Sequence, residues 1–338
     1  MTTANLATSS TADSAAESRN ATLWHRPLLW LAIAMAALAA IATIGLVVDP
    51  REVTGINLWL KPLKFAVSIA IYAVTLSWLI GQLRTMSRLG RIAGTVSVIA
   101  LLIEIVIIVG FAAAGDTSHF NVSTAFHTTM WSVMAISIVV VWSMSLLVGV
   151  ALFRNALGDR ARTLAIRSGV IIGLVGMGVA FFMTSPTGEQ LANFEGIAGA
   201  HTVGFADGGP GLPLLGWSTV AGDLRIPHFV GMHALQLVPL ALILIEALSR
   251  RVPVLRSEAV RHGLIAVVAI SYLATLVLLT VQALRGQSIV SPDAWTLAAA
   301  ATIAAGSLVA AATVLVAGFR HTQRTELEPE SVQAAAEG

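Results

Sequence analysis

Cysteine is absent from the 338 residues, which excludes disulfides, iron–sulfur clusters and thiolate metal ligands. Charge is scarce too: Asp, Glu, Lys and Arg make up 11% of the chain, against about a quarter in soluble domains. Lysine is nearly missing, with Lys61 and Lys64 the only two against eighteen arginines, a bias that points to a GC-rich bacterial genome. No basic run is interleaved with aromatics, which argues against a nucleic-acid partner. No short apolar segment follows a basic start, so the N-terminus is not read as a cleaved signal peptide. No polar stretch is long enough for a soluble catalytic domain.

What the chain does have is apolar length. Hydrophobic residues make up 56% and the mean hydropathy is +0.83. Eight segments approach the roughly 20 apolar residues needed to cross a bilayer. They lie near 27–48, 64–81, 92–114, 129–153, 166–185, 228–248, 262–284 and 293–318. The expected fold is an all-α integral membrane protein, a bundle of eight transmembrane helices whose first partner is the lipid bilayer. Residues 1–22 read as a disordered, Ser/Thr/Ala-rich segment. Residues 23–320 form the eight-span domain, residues 186–227 its long loop, and residues 321–338 a polar tail.

The charges order the spans. Fifteen Lys and Arg residues fall on one side and five on the other (Arg51, Lys61, Lys64, Arg225 and Arg285), alternating loop by loop. The positive-inside rule then places both termini in the cytoplasm and the 186–227 loop outside, in a bacterial inner membrane. A duplication is also expected. Leu60-Lys-Pro-Leu-Lys-Phe65 opens the second span and Leu224-Arg-Ile-Pro-His-Phe229 the sixth, while Ala114-Gly115-Asp-Thr and Arg285-Gly286-Gln-Ser leave the third and seventh. Spans 1–4 would then match spans 5–8 in a parallel 4+4 arrangement. The alternative is that basic residues and proline simply favour membrane boundaries.

The candidate chemistry gathers on the Arg-poor side. His119, His127, His201, His228 and His233 all fall there, the last three between Gly199 and Gln236 with Asp207, Asp223 and Arg225. Histidine is the commonest metal ligand and also holds haem. His228 and His233 stand five residues apart, about 140° on a helix, which is not the spacing of a helical zinc chelate. The structural alternative has His228 capping a helix and His233 bonding a neighbouring span. Within the spans, Glu104 is expected about 15 Å from either end of the third, with Tyr72, Gln236 and Tyr272 at similar depth. Buried ionisable groups in membranes are functional candidates by default, although interhelical hydrogen bonding would also explain the others.

The leading expectation is a metal- or haem-binding protein with its site at the outer face. His119, His228 and His233 are the candidate metal ligands. His119, His201, Asp223 and Arg225 would hold the cofactor, either haem or a divalent transition metal. Glu104, Gln236 and Tyr272 would form a polar, catalytic path beneath it. Electron transfer, quinone-linked redox chemistry and metal-assisted lipid hydrolysis all fit, with a small molecule, quinone or lipid as partner. The rivals are a transporter of a small or proton-coupled solute, and a structural or assembly factor.

NLWLKPLKFAVS, the SHFN tetrapeptide at 118–121, GDLRIPHFVGMHALQ and QALRGQS together resemble a family of uncharacterised bacterial polytopic membrane proteins, over roughly 55–290. The resemblance implies the eight-helix fold and brings no activity. Where that family's pattern leaves the third span as QAARG, this chain reads Gly110-Phe-Ala-Ala-Ala-Gly115. An external arginine is therefore missing from the first half while Arg285 remains in the second.

Overall fold

The structure, a computed structural model, describes residues 24–336 apart from Thr54. The segment expected to be disordered, 1–22, lies outside the described residues. Seven helices are long and apolar enough to cross a membrane, and one bent pair is apolar enough to act as an eighth. The protein is thus a predominantly helical, multi-pass membrane protein.

Helix α1 (Arg26–Val48) starts at Pro27, whose fixed φ suits a first turn. A small hairpin of β1 (Glu52–Val53) and β2 (Ile56–Asn57) leads into α2 (Leu60–Gly81). α3 (Ser87–Ala114) ends at Gly115 in the left-handed region, φ 73°. α4 (Ala125–Phe153) is capped by the Thr124 side chain, and α5 (Arg160–Val179) by Asp159 accepting from the Arg162 N–H at 2.8 Å. The long connection that follows carries a short α6 (Gly188–Ala192) and a second hairpin, β3 (Thr202–Val203) with β4 (Gly222–Asp223). That hairpin leads into α7 (Arg225–Met232) and α8 (Ala234–Leu248), which meet at a 42° bend. α9 (Glu258–Leu284) and α10 (Ala294–Ala336) complete the chain. The last helix runs well beyond 318, where the apolar pattern stops, and carries Pro329 within its polar continuation.

Neighbours in sequence are neighbours in space: α1 packs on α2, α2 on α3 and α3 on α4, while α5 packs on α7 and α8, and α9 on α10. The largest buried cluster lies among α1–α5, with Leu28, Leu76 and Leu152 fully enclosed. A second joins α5, α8 and α9 around Val238 and Ile265. Gly176 and Gly231 let α5 and α7 touch backbone to backbone: a Cβ on Gly176 would stand 2.3 Å from the Gly231 Cα. The bend between α7 and α8 lies two residues before Leu235, the i−4 residue of Pro239, and proline has no N–H to offer that carbonyl and crowds it.

A candidate buried acid–base site at the Arg-poor end

The α2–α3 hairpin decides where Glu104 sits. The two helices are antiparallel and joined through residues 82–86, so Glu104 comes level with the first turns of α2, not with its middle. α3 continues about 15 Å past Glu104. That matches the distance to the α3 exit expected from the sequence, while the start of α3 lies about 25 Å away.

The chain then doubles back. After Gly115 the 116–124 loop descends beside α3 and delivers His119 to Glu104, with Nε2 3.8 Å from Oε1. Phe120 makes the turn with φ 63°, a strained value for a non-glycine residue. Packing holds it there: its ring contacts Trp131 at 5.0 Å, His119 at 6.0 Å and His201 at 4.9 Å. A Cβ on Gly199 would lie 2.5 Å from that ring, so only glycine fits. Phe65 from α2 closes the other side of His119 at 5.5 Å.

Glu104 is 1% exposed and its Oε2 has no hydrogen-bond partner. Its cationic neighbour is Lys61, from the first turn of α2. His119 donates to or accepts from Ser118 Oγ at 3.1 Å through Nδ1. Burial, reinforced by the positive charge of Lys61, pushes the His119 pKa well below its ordinary range and keeps the imidazole neutral. The site is therefore a carboxyl, a neutral imidazole and an ammonium in low-dielectric surroundings. That set can accept, hold and release a proton.

His201 stands above it, with Nδ1 2.6 Å from Asp207 Oδ2. Burial lowers the His201 pKa despite Asp207. Burial would raise the Asp207 carboxyl, but hydrogen bonds from His201 and Thr202 hold it below the usual range. Both shifts describe one state, a neutral imidazole donating to a carboxylate. The cap of the site is gripped from both halves. Lys64 Nζ donates to the Leu215 carbonyl at 3.0 Å and Arg225 Nη2 to the Gly216 carbonyl at 2.6 Å. Arg225 also bonds Asp223 through Nε at 2.9 Å and Nη2 at 2.5 Å, and Asp223 accepts the Ser218 N–H at 2.8 Å. Arg225 and Asp223 thus spend much of their hydrogen bonding on each other and on the loop.

The candidates of α7 and α8 lie around the bend. His228 Nδ1 bonds the Gly176 carbonyl at 2.9 Å, and His233 Nδ1 bonds Gln236 Oε1 at 3.2 Å. Gln236 Nε2 reaches Thr75 of α2 at 3.0 Å, and the Tyr272 hydroxyl donates to the Val230 carbonyl at 2.6 Å. Gln236 thus ties His233, at the bend, to α2, and Tyr272 ties Val230 to α9. Tyr72 is paired with Ser145 at 2.7 Å, in the core between α2 and α4. His127 lies apart from the group, bonded to Asp116 at 2.8 Å and Thr124 at 2.6 Å. Among the described residues no three His, Asp or Glu side chains are grouped so as to hold a metal ion.

Sequence reasoning passed over Lys61 and Lys64. The available signal was their rarity: both lysines of the chain stand one turn apart where α2 begins. No protein-family model matches the chain, and no curated protein or solved structure is similar to it.

Proposed function

We propose that this protein is a membrane carrier that moves a small polar solute together with a proton, using Glu104 as the proton-binding group at the outer mouth of an eight-span bundle. The observation that carries the reading is the buried Glu104 carboxyl, with one oxygen unpartnered and the other 3.8 Å from a neutral His119. A buried carboxyl without full partners is costly unless its protonation is used. Lys61 stabilises the ionised form and His119 relays the proton toward the surface. The bend at His233 interrupts a membrane helix, as the discontinuous helices of carriers do. The paired hairpins, helix starts and glycine exits support descent from a parallel 4+4 duplication.

The test uses proteoliposomes loaded with a pH dye and challenged with a panel of small carboxylates, phosphates and amines. At least one should change the lumenal pH, and Glu104→Gln should abolish the change while leaving folded protein. A wild-type response indistinguishable from empty liposomes across the panel defeats the proposal. Orientation is tested separately. Reporter fusions after Asp159 and after Asp207 should fall on opposite sides of the membrane.

A second reading keeps the metal or haem expectation. In His201, His228 and His233 the Nδ1 atom is engaged by a carboxylate, a carbonyl and an amide oxygen, which leaves Nε2 as the free nitrogen. Histidines that ligate metals are oriented in this way. A Soret band or stoichiometric metal in the purified protein, lost in His228→Ala, would establish it. Its absence leaves the carrier reading standing alone.

A further inference from the structure

Far from Glu104, a cavity of about 430 Å³ runs between α9 and α10. Its volume falls within the roughly 300–1,000 Å³ of small-molecule sites. Its walls are apolar, with Leu278 and Leu279 on one side and Ile303 and Ala304 on the other. At the end nearer the Arg-rich side, the Ser271 and Ser307 hydroxyls lie 2.5 Å apart, and each also bonds a carbonyl of its own helix. That end has no unmet need.

The opposite end differs. Gln282 lines the cavity and is 4% exposed. Its Nε2 donates to the Ser288 carbonyl at 3.0 Å, but its Oε1 receives no hydrogen bond from any described residue. Thr296, the nearest hydroxyl in the lining from α10, donates to Gln287 Oε1 instead, at 2.7 Å. An amide oxygen left without a donor, on a mostly buried side chain that lines the cavity, can accept a hydrogen bond from outside the chain. Arg285, one turn beyond, does not recruit an anion. Its Nη2 is held by Asp293 at 2.7 Å and its guanidinium lies over the Trp295 ring at 5.3 Å. The mouth is therefore close to neutral, with an aromatic ring of the kind found at the membrane interface.

From this geometry we infer that the α9–α10 trench binds a neutral lipid with a hydroxyl-bearing head, of the monoacylglycerol or diacylglycerol class. The acyl chain lies along the Leu278–Ala304 trench and the head hydroxyl donates to Gln282 Oε1. Mutual neutralisation of Arg285 and Asp293 disfavours fatty-acid and phospholipid anions.

The test uses the full chain in lipid nanodiscs and a monoacylglycerol with a photoreactive group in its acyl chain. Crosslinks should concentrate in peptides of α9 and α10. Unlabelled monoacylglycerol should compete about tenfold better than the methyl ester of the same fatty acid, which has no donor. Ala304→Phe fills the trench without touching Gln282 and should remove the labelling. Gln282→Leu should retain labelling and lose the preference for the hydroxyl. Labelling spread evenly over the lipid-facing helices overturns the inference. So does equal competition by the methyl ester in the wild-type protein, or stronger competition by an anionic phospholipid.

Discussion

Helix α2 and the bent pair α7–α8 begin from the same local chemistry. Before each stands an antiparallel pair of two-residue strands, closed by a tight turn in the first case and by a long loop in the second. An Asx turn opens each helix: Asn57 Oδ1 accepts the Trp59 N–H at 2.9 Å, and Asp223 Oδ1 accepts the Arg225 N–H at 3.0 Å. In each, a cation then grips the cap, Lys64 at Leu215 and Arg225 at Gly216. The helices that follow diverge. α2 runs unbroken for 22 residues, whereas Pro239 and the Gly176–Gly231 contact accompany a bend in the other. The cations diverge as well. Arg225 is neutralised by a fully buried Asp223, while Lys61, one turn before Lys64, keeps Glu104 as its charged neighbour. The same start thus supplies a paired brace in one half and a lysine beside a buried carboxyl in the other.

Replacing the two gripping cations should expose this asymmetry most strongly. Arg225→Met strands the buried Asp223 carboxylate and should cost about 3–5 kcal/mol, read as a large fall in the melting temperature of detergent-purified protein. Lys64→Met removes one hydrogen bond to a carbonyl and should cost only about 0.5–1.5 kcal/mol. Equal losses would show that the two grips are interchangeable after all.

Packing in the second half comes next. Gly176→Leu drives a side chain into the Gly231 backbone and should destabilise by about 1–3 kcal/mol or more. Pro239→Ala restores an N–H for the Leu235 carbonyl. It should straighten the α7–α8 bend, measurable as a changed distance between spin labels at the exposed positions Phe229 and Leu248. An unchanged distance would assign the bend to packing against α5 rather than to the proline.

The smallest expected effect is on pH. His119 and His201 have folded pKa values below the ordinary 6.5, so the unfolded chain binds protons first as the medium acidifies. Their contribution is complete above pH 6.5 and declines as pH falls from there toward the folded values. Asp207, with its depressed carboxyl, contributes until far lower pH and does not offset the loss. Melting temperature should therefore drop between pH 7.5 and 5.5, and His201→Gln should flatten the drop. A steeper dependence in that variant would contradict the assignment.

Much of this organisation was legible in the residues. Apolar runs of about 20 residues report membrane helices, because bilayer thickness fixes their length. The Pro and Gly signals at 62, 115, 227 and 286 fall where helices begin and end, since those residues act on local backbone. Glu104 and His119 could be singled out as candidates from a carboxylate in an apolar run and a histidine in a polar turn. That they meet could not. Their contact requires the 116–124 loop to fold back along α3, and Phe120, Trp131 and Gly199, from three separate segments, hold that path. For Asp223 and Arg225 the sequence shows their charge and not their pairing. Sequence shows the depth of Gln236 and Tyr272 but not their partners, Thr75 and His233 for the one and the Val230 carbonyl for the other. Composition and periodicity fix which segments enter the membrane, through a solvent cost that every residue bears independently. Which polar groups face one another depends on helix stagger and loop return, and those are set by packing between residues far apart in the chain.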